Sequence, residues 1–326
     1  MFRKHQELLE DYLFHHVISL KTEENYRLCV EKLRRAIHAD VDSLEFGQLL
    51  EWRRRELSEG LSPTSWNTYM RHLKALFNHG IEQGKLPYKD NYFSQLMVKA
   101  PDKLKKRLSG EQIVKIRELF EALKREEEET GNHFAGFHPV WFWRIVIETF
   151  FYTGIRRKQL LHIQMNDIDL RCLVLYVRFE GSKNKKERFL PIPDDLAPWL
   201  EKLLWENARK KFHPEDQAFN VNCYNPLSRR KEMSQCQVVA CFRELSWRLG
   251  FQVSTHRFRH TLGCTLANKP TANLFLIKEI LGHSSIRSTM EYMEADLAAM
   301  RAVLNERQPE IQQGLLKSTG MLDREP

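Results

Sequence analysis

In most of the chain the apolar residues recur at helical spacing, but one short stretch has the residue pattern of two paired β-strands. In residues 61–77 large apolar side chains recur every three or four positions. They follow Ser62, a residue type that suits a helix N-cap, and Pro63, which suits the first helical position. Residues 172–192 instead contain two β-type runs around a Lys-rich polar turn. The sequence therefore predicts a mainly α fold with one small antiparallel β-hairpin or sheet.

The composition is that of an ordinary globular protein long enough for two domains. Of the 326 residues, 42% are hydrophobic and 29% are charged, which argues against disorder. The most apolar run, residues 142–152, is interrupted by Arg144 and Glu148, so no membrane-spanning segment is predicted. The N-terminus has no apolar signal core, and the six cysteines are scattered without a C-x-x-C pair. We therefore expect a cytoplasmic protein with reduced thiols.

The helical patterns predict two domains. Residues 1–97 are expected to form a compact helical domain, and residues 108–326 a second domain that contains the β-hairpin and ends in a helical tail. The segment between them, residues 98–107, is rich in lysine and is interrupted by Pro101. Because proline disfavours helix in the residue before it, this segment is interpreted as a basic linker.

Basic side chains on the predicted helical domain and linker are candidates for contacts with DNA. Basic residues outnumber acidic ones by 51 to 43, and the net charge of +8 is compatible with nucleic acid. A solvated surface is the alternative for each residue, but together they would contact phosphates and make binding sensitive to salt. The candidates are Arg27, Arg34, Asn67, Arg71 and Lys74 in the helical domain, and Lys105, Lys106 and Arg107 in the linker.

Six residues in the second predicted domain form a set suited to holding a phosphate and attacking it. His256 and Arg259 are three residues apart in a predicted helix and therefore share one helix face. His283 precedes Tyr292 by nine positions (292 − 283). The full set is Arg156, Lys183, His256, Arg259, His283 and Tyr292.

The chemistry of these side chains suggests a role for each. A tyrosine oxygen can displace the 5′-oxygen of a phosphodiester, and the step is reversible because the tyrosine is also a good leaving group. The two arginines would pair with the non-bridging oxygens, with His283 as a further donor. His256 would accept the Tyr292 proton, and Lys183 would protonate the departing 5′-oxygen. No cofactor is required.

A zinc site is the competing interpretation of His256 and His260, which are four residues apart. The intervening segment has no glutamate in the position found in metalloproteases. Arg257 and Arg259 would also place two cations beside the metal, which opposes its binding. We therefore predict that no metal takes part.

Four motifs, in this order, resemble those of the tyrosine recombinase (phage integrase) family. They are Thr153-Gly-Ile-Arg-Arg-Lys-Gln-Leu-Leu161, Gly181-Ser-Lys-Asn-Lys-Lys-Glu-Arg-Phe-Leu-Pro-Ile192, Thr255-His-Arg-Phe-Arg-His260, and the segment from Leu281-Gly-His283 to Tyr292. Gln159 stands where the family often has an acidic residue. The turn of the second motif is Gly-Ser-Lys instead of Gly-Lys-Gly, so Lys185 and Lys186 stay open as alternatives to Lys183.

The resemblance implies a two-domain DNA clamp, with residues 1–97 as a core-type DNA-binding domain and residues 108–326 as the catalytic domain. It implies site-specific cleavage and rejoining of double-stranded DNA through a 3′-phosphotyrosine on Tyr292. It further implies a homotetramer on two duplexes, in which the C-terminal tail docks into the neighbouring protomer. Accessory proteins, and the choice between integration of a mobile element and resolution of replicon multimers, stay open.

Two other functions are compatible with parts of this pattern. A type IB topoisomerase uses a similar set of residues but relaxes DNA as a monomer, without paired sites. A DNA-binding regulator on the same scaffold would have no use for a nucleophile, and the presence of Arg156, Arg259 and Tyr292 argues against it.

Overall fold

The computed structural model describes residues 3–101, 106–131, 136–180, 187–225, 228, 230–269, 273–290, 292 and 301. The chain divides into two compact units, Met1–Leu104 and Lys105–Pro326. The division falls inside the segment interpreted as a linker, and each unit has its own hydrophobic core. As predicted, the fold is mainly helical with one small antiparallel sheet.

The first unit consists mainly of four helices. They are α1 Arg3–His15, α2 Leu20–Ala36, α3 Phe46–Ser58 and α4 Pro63–Glu82. The start of α4 is as predicted, since the Ser62 side chain accepts a hydrogen bond from Ser65 N at 3.2 Å and Pro63 is the first helical residue. Trp52 and Trp66 are at most 1% exposed and pack edge to face, with ring centroids 4.9 Å apart. This aromatic pair holds α3 against α4.

The second unit contains the remaining helices and the sheet. The helices are α5 Gly110–Thr130, α6 Val140–Thr153, α7 Arg157–Leu160, α8 Ala197–Arg209, α9 Gln235–Leu249, α10 Thr255–Ala267, α11 Leu274–Leu281 and α12 Ile286–Met290. Helix α6 packs against α5, α8 and α10. Its buried Glu148 forms one ion pair with Arg117 of α5, at 2.7 Å, and a second with Arg144 of its own helix, at 2.8 Å. These ion pairs satisfy a carboxylate that would otherwise be buried without a partner.

The sheet has the order β1–β2–β3 and is antiparallel throughout. Its strands are β1 Ile168–Asp169, β2 Val174–Val177 and β3 Arg188–Pro191. The predicted hairpin is confirmed by the pairing of Val174 with Pro191 and of Val177 with Arg188. Strand β1 was not predicted, because two residues are too few to show an alternating pattern. The hairpin tip, residues 181–186, lies outside the described residues, and so does Lys183.

Candidate active site

The two candidate arginines are brought together by the end of α6 and by α10. Helix α6 ends at Gly154, whose φ of 56° is left-handed. The chain then turns, so that Arg156 precedes α7. Arg259, on α10, is 4% exposed, and its Nη1 donates to Gly154 O at 2.9 Å. Gly154 and Arg259, which are 105 positions apart in sequence, are therefore joined by one hydrogen bond.

The carboxyl end of α11, residues 279–282, holds three guanidinium groups. Arg188 Nη1 lies 2.5 Å from both Glu279 O and Ile280 O, and Arg259 Nη2 donates to Leu281 O. Arg156 donates to Gly282 O from Nη1 at 3.2 Å and from Nη2 at 3.3 Å. The last carbonyls of a helix have no partner within it and carry its partial negative charge. Here the four consecutive carbonyls of residues 279–282 accept hydrogen bonds from arginine side chains.

These arginines hold a concentrated positive charge. Among the residues that the structure describes, none of the three lies within salt-bridge distance of a carboxylate. Burial is the main cause that lowers the pKa of Arg259 to about 10, and the neighbouring charge of Arg156 is the second. Tyr292 acts in the opposite direction and raises this pKa. Burial likewise lowers the pKa of Arg156. Such a cluster is suited to bind an anion with several oxygens, as a phosphodiester has.

Tyr292 lies beside this cluster, buried against the face of α10. It is 3% exposed, and an interaction with its side chain raises the pKa of Arg259. Its ring is parallel to that of His283, at an interplanar angle of 4° and a centroid distance of 5.6 Å. His283 is oriented by Thr289, whose Oγ1 lies 2.9 Å from its Nδ1. The structure thus brings Arg156, Arg259, His283 and Tyr292 together.

Gly263 provides the space that Tyr292 occupies. A Cβ atom at this position would lie 2.8–2.9 Å from three atoms of the tyrosine ring, closer than real contacts allow. We expect Gly263→Ala to displace the ring and destabilise the fold by about 1–3 kcal/mol. If Tyr292 attacks DNA, as the family resemblance implies, a shift of a few tenths of an ångström should slow cleavage about tenfold, since a full ångström can cost roughly 10²-fold.

Thermal unfolding and single-turnover cleavage would measure the two effects of Gly263→Ala. Gly110→Ala is the matched control, because no atom lies within 4 Å of the added Cβ at this helical position in the same unit. Equal cleavage rates for the two variants would show that the close packing of Gly263 on Tyr292 is unimportant.

His256 occupies the first turn of α10, at the surface of the unit. Ser254 caps this helix, because its side chain accepts a hydrogen bond from Arg257 N at 3.3 Å. The ring centroid of His256 lies 6.4 Å from that of His260 on the next turn. Partial desolvation, and then the charges of Arg259 and other arginines, lower the pKa of His256 below its usual value. The imidazole is therefore neutral at pH 7 and able to accept a proton.

Arg188 is the one member of the cluster that was not predicted from the sequence, because there it looks like an ordinary strand residue within a basic hairpin. The two-residue repeat of a β-strand provides a signal that would have identified Arg188. Residues two apart point to the same face, so Arg188 shares the face of Leu190, which is 2% exposed. A charged residue on the buried face of a strand calls for a functional explanation.

The candidate DNA-contact residues of the first unit have different surroundings. Arg27 donates to Glu10 and Glu23 at 2.7 Å each, and Arg34 pairs with Glu31 at 2.8 Å. Such exposed ion pairs are weak, so DNA phosphates could replace the carboxylates. The Asn67 amide binds the backbone of residue 98 through two hydrogen bonds, of 2.7 and 2.9 Å.

For Arg71, which is exposed, and Lys74, which is partly exposed, no side-chain hydrogen bond is found within the described part of the chain. Lys106 and Arg107 are exposed in the second unit, whereas Lys105 lies outside the described residues. Arg71 and Lys74 are therefore the cations of α4 that DNA could reach without displacing a carboxylate.

A group of potential metal ligands occurs elsewhere, in the first unit. Within the described ranges, Asp11, His15 and His79 have ligand atoms within 4.8 Å of one another. The Asp11 carboxylate already contacts His79 at 2.7 Å and Lys85 at 2.5 Å. An ammonium group at this distance opposes a metal cation, so the group is explained as an ion-pair network. Of the helices described, none combines the length and apolarity needed to cross a bilayer.

Comparison with known proteins gives consistent sequence matches. Residues 115–298 match the model of the phage integrase family. A relative from Pseudomonas aeruginosa, named for the tyrosine recombinase XerC, is 37% identical over 321 residues, which are 98% of this chain and 74% of that protein. A relative of the same name from Pseudomonas syringae is 39% identical over 260 residues, which are 79% of this chain and 54% of that protein.

Two solved structures share the fold. The Tn1549 transposon integrase in complex with a circular intermediate DNA has a TM-score of 0.72 at 20% identity, covering 93% of this chain and 99% of that chain. The lambda integrase dimer bound to a COC′ core site has a TM-score of 0.63 at 19% identity, covering 89% and 77%. At these identities the likeness concerns the fold alone.

Proposed function

Since the chain belongs to the phage integrase family of tyrosine recombinases, we propose that it cleaves and rejoins DNA at specific sites through a 3′-phosphotyrosine on Tyr292. The observation that carries the proposal is that the buried Arg259, the half-buried Arg156 and Tyr292 meet at the carboxyl end of α11. Guanidinium groups that are held by carbonyls and not neutralised by carboxylates keep their charge for a phosphate.

Each side chain has one role in the proposed reaction. Arg156 and Arg259 bind the non-bridging oxygens and stabilise the negative charge that develops on them as Tyr292 attacks. His283 adds a hydrogen bond to the phosphate, and His256 accepts the tyrosine proton. Lys183, in the hairpin tip, protonates the departing 5′-oxygen. Rejoining is the reverse reaction, in which a 5′-hydroxyl attacks the phosphotyrosine.

The larger assembly follows from the same proposal. Recombination exchanges strands between two duplexes, so four protomers are needed to cut four strands. The first unit would bind DNA through Arg71 and Lys74, and the exposed Lys106 and Arg107 of the second unit would also bind phosphates. The C-terminal tail after Tyr292, which lies almost entirely outside the described part of the chain, would dock into a neighbouring protomer.

A nicked duplex substrate tests the proposal, because cleavage near the nick releases a short strand and traps the covalent intermediate. A library of duplexes carrying genomic sites would supply the target sequence. We expect an adduct on a denaturing gel in the presence of EDTA, with the DNA attached to the peptide that contains Tyr292. Specific, salt-sensitive binding without an adduct would favour the DNA-binding regulator. An adduct without exchange between two sites would favour the topoisomerase.

The acid side of the pH–rate profile should report the protonation of His256. Because its pKa lies below the usual value of about 6.5, we expect cleavage to persist at pH 6.5 and to fall as the pH drops through this lowered pKa. Single-turnover rates between about pH 5 and pH 8 would measure the decline. His256→Gln should be slower and should lack it. A midpoint at or above about 6.5 would contradict the assignment.

A further inference from the structure

Arg188 has two nitrogen atoms whose hydrogen-bonding capacity is unused. Its Nη1 donates to Glu279 O and Ile280 O, both at 2.5 Å. Its Nε and Nη2 are buried, and neither has a hydrogen-bond partner within the described part of the chain. Buried N–H groups without partners are costly and therefore rare in folded proteins. Their retention at this position calls for an explanation beyond the stability of the fold.

The charge of Arg188 is costly as well. Burial, and after it the positive charges of Arg259 and Arg156, lower its pKa to about 9. A neutral hydrogen-bond donor would bind the same two carbonyls without this cost. The unfavourable charge is explained if an anion binds where the three guanidinium groups meet.

The contacts of Arg188 also connect it to the residues proposed to act on DNA. Its guanidinium lies so close to Gly282 that a Cβ there would be 2.8 Å from Cζ, while Gly282 O accepts from Arg156. His283 is the next residue. Arg188 is therefore in a position to fix both the anchor of Arg156 and the start of the segment that leads to Tyr292.

We propose that Arg188 is a positioning residue of the cleavage site, which fixes the carboxyl end of α11 and adds a third positive charge to the pair that binds the DNA phosphodiester. This inference rests on the proposed function. Arg188 acts on the transition state by charge and through Arg156, and it need not touch the phosphate itself.

Two substitutions separate the charge of Arg188 from its hydrogen bonds. Arg188→Gln keeps a donor for the α11 carbonyls but removes the charge, and Arg188→Lys keeps both a donor and a charge. Each would be assayed for single-turnover cleavage of a nicked duplex with either a normal phosphodiester or a neutral methylphosphonate at the scissile position. Arg171→Met is the control, because it removes a charge from the exposed turn between β1 and β2.

We expect Arg188→Gln to cleave the phosphodiester about 10- to 100-fold more slowly than the wild type, which is less than the loss for a donor in direct contact. On the methylphosphonate the loss should shrink to a few-fold, because there is less negative charge to stabilise. Arg188→Lys should recover most of the rate, and Arg171→Met should be unchanged on both substrates.

Equal losses for both Arg188 variants on both substrates would overturn the proposal, because Arg188 would then act only in folding. An unchanged rate in Arg188→Gln would also overturn it. Thermal unfolding identifies a variant that fails to fold. If Arg188→Gln fails to fold, the proposal is tested by Arg188→Lys alone. Its ratio of cleavage rates on the phosphodiester and the methylphosphonate is then expected to equal that of the wild type. Failure of the wild type to form an adduct on any site would instead refute the proposed function, and this inference with it.

Discussion

Replacing Tyr292 with phenylalanine is expected to lower the rate of covalent adduct formation by at least about 10⁴-fold. The substitution removes only the phenolic oxygen, which is the proposed nucleophile. The ring can still pack against Gly263 and stack on His283, as it does in the native structure. DNA affinity should therefore change by no more than about threefold, because phosphate contacts dominate binding.

The adduct would be measured on the nicked duplex by denaturing electrophoresis, and affinity by titration at several salt concentrations. Tyr176→Phe is a suitable control, because it makes the same chemical change on β2 of the same unit. An adduct that persists in Tyr292→Phe would show that another residue is the nucleophile. A large loss of DNA affinity would instead show that Tyr292 contributes to binding.

Replacing Arg259 with lysine is expected to slow cleavage about 10²–10³-fold, although the formal charge is kept. Arg259 reaches Gly154 O and Leu281 O with two different nitrogen atoms. An ammonium group is a single point and cannot span both carbonyls while binding a phosphate.

Single-turnover cleavage at saturating protein would isolate this effect from binding. Arg257→Lys on the same helix is the control, since the Arg257 side chain contacts Gln252 at 3.1 Å instead of the α11 carbonyls. Cleavage by Arg259→Lys within about tenfold of the wild-type rate would contradict the proposed bidentate role. Thermal unfolding would show whether the two carbonyls lose their partner at a cost to stability.

The order of motifs along the chain was sufficient to predict the family, and residue types with helical spacing were sufficient to predict the helices. Ser62 and Pro63, for example, identify the start of α4 because capping depends on neighbouring residues alone. The assignment of Lys183 as the acid and the docking of the tail are still predictions, since both concern residues outside the described ranges.

Long-range contacts could not be predicted in this way. That Asn67 binds the backbone of residue 98 depends on how two segments pack, and no local pattern reveals it. The same holds for the convergence of Arg156, Arg188 and Arg259 on the end of α11. Sequence shows which side chains have suitable chemistry, whereas their meeting point is set by tertiary structure.

The position of α11 late in the chain has a consequence for biosynthesis. Arg156 is 126 residues from its partner Gly282, and Arg188 is 91 residues from Glu279. A nascent chain on the ribosome lengthens by about 5–20 residues per second, so Arg156 emerges several seconds before the carbonyls that hold it. Until then Tyr292, the proposed nucleophile, has not been synthesised either. Under the proposed function, incomplete chains, including those left by premature termination before α11, would therefore be unable to break DNA.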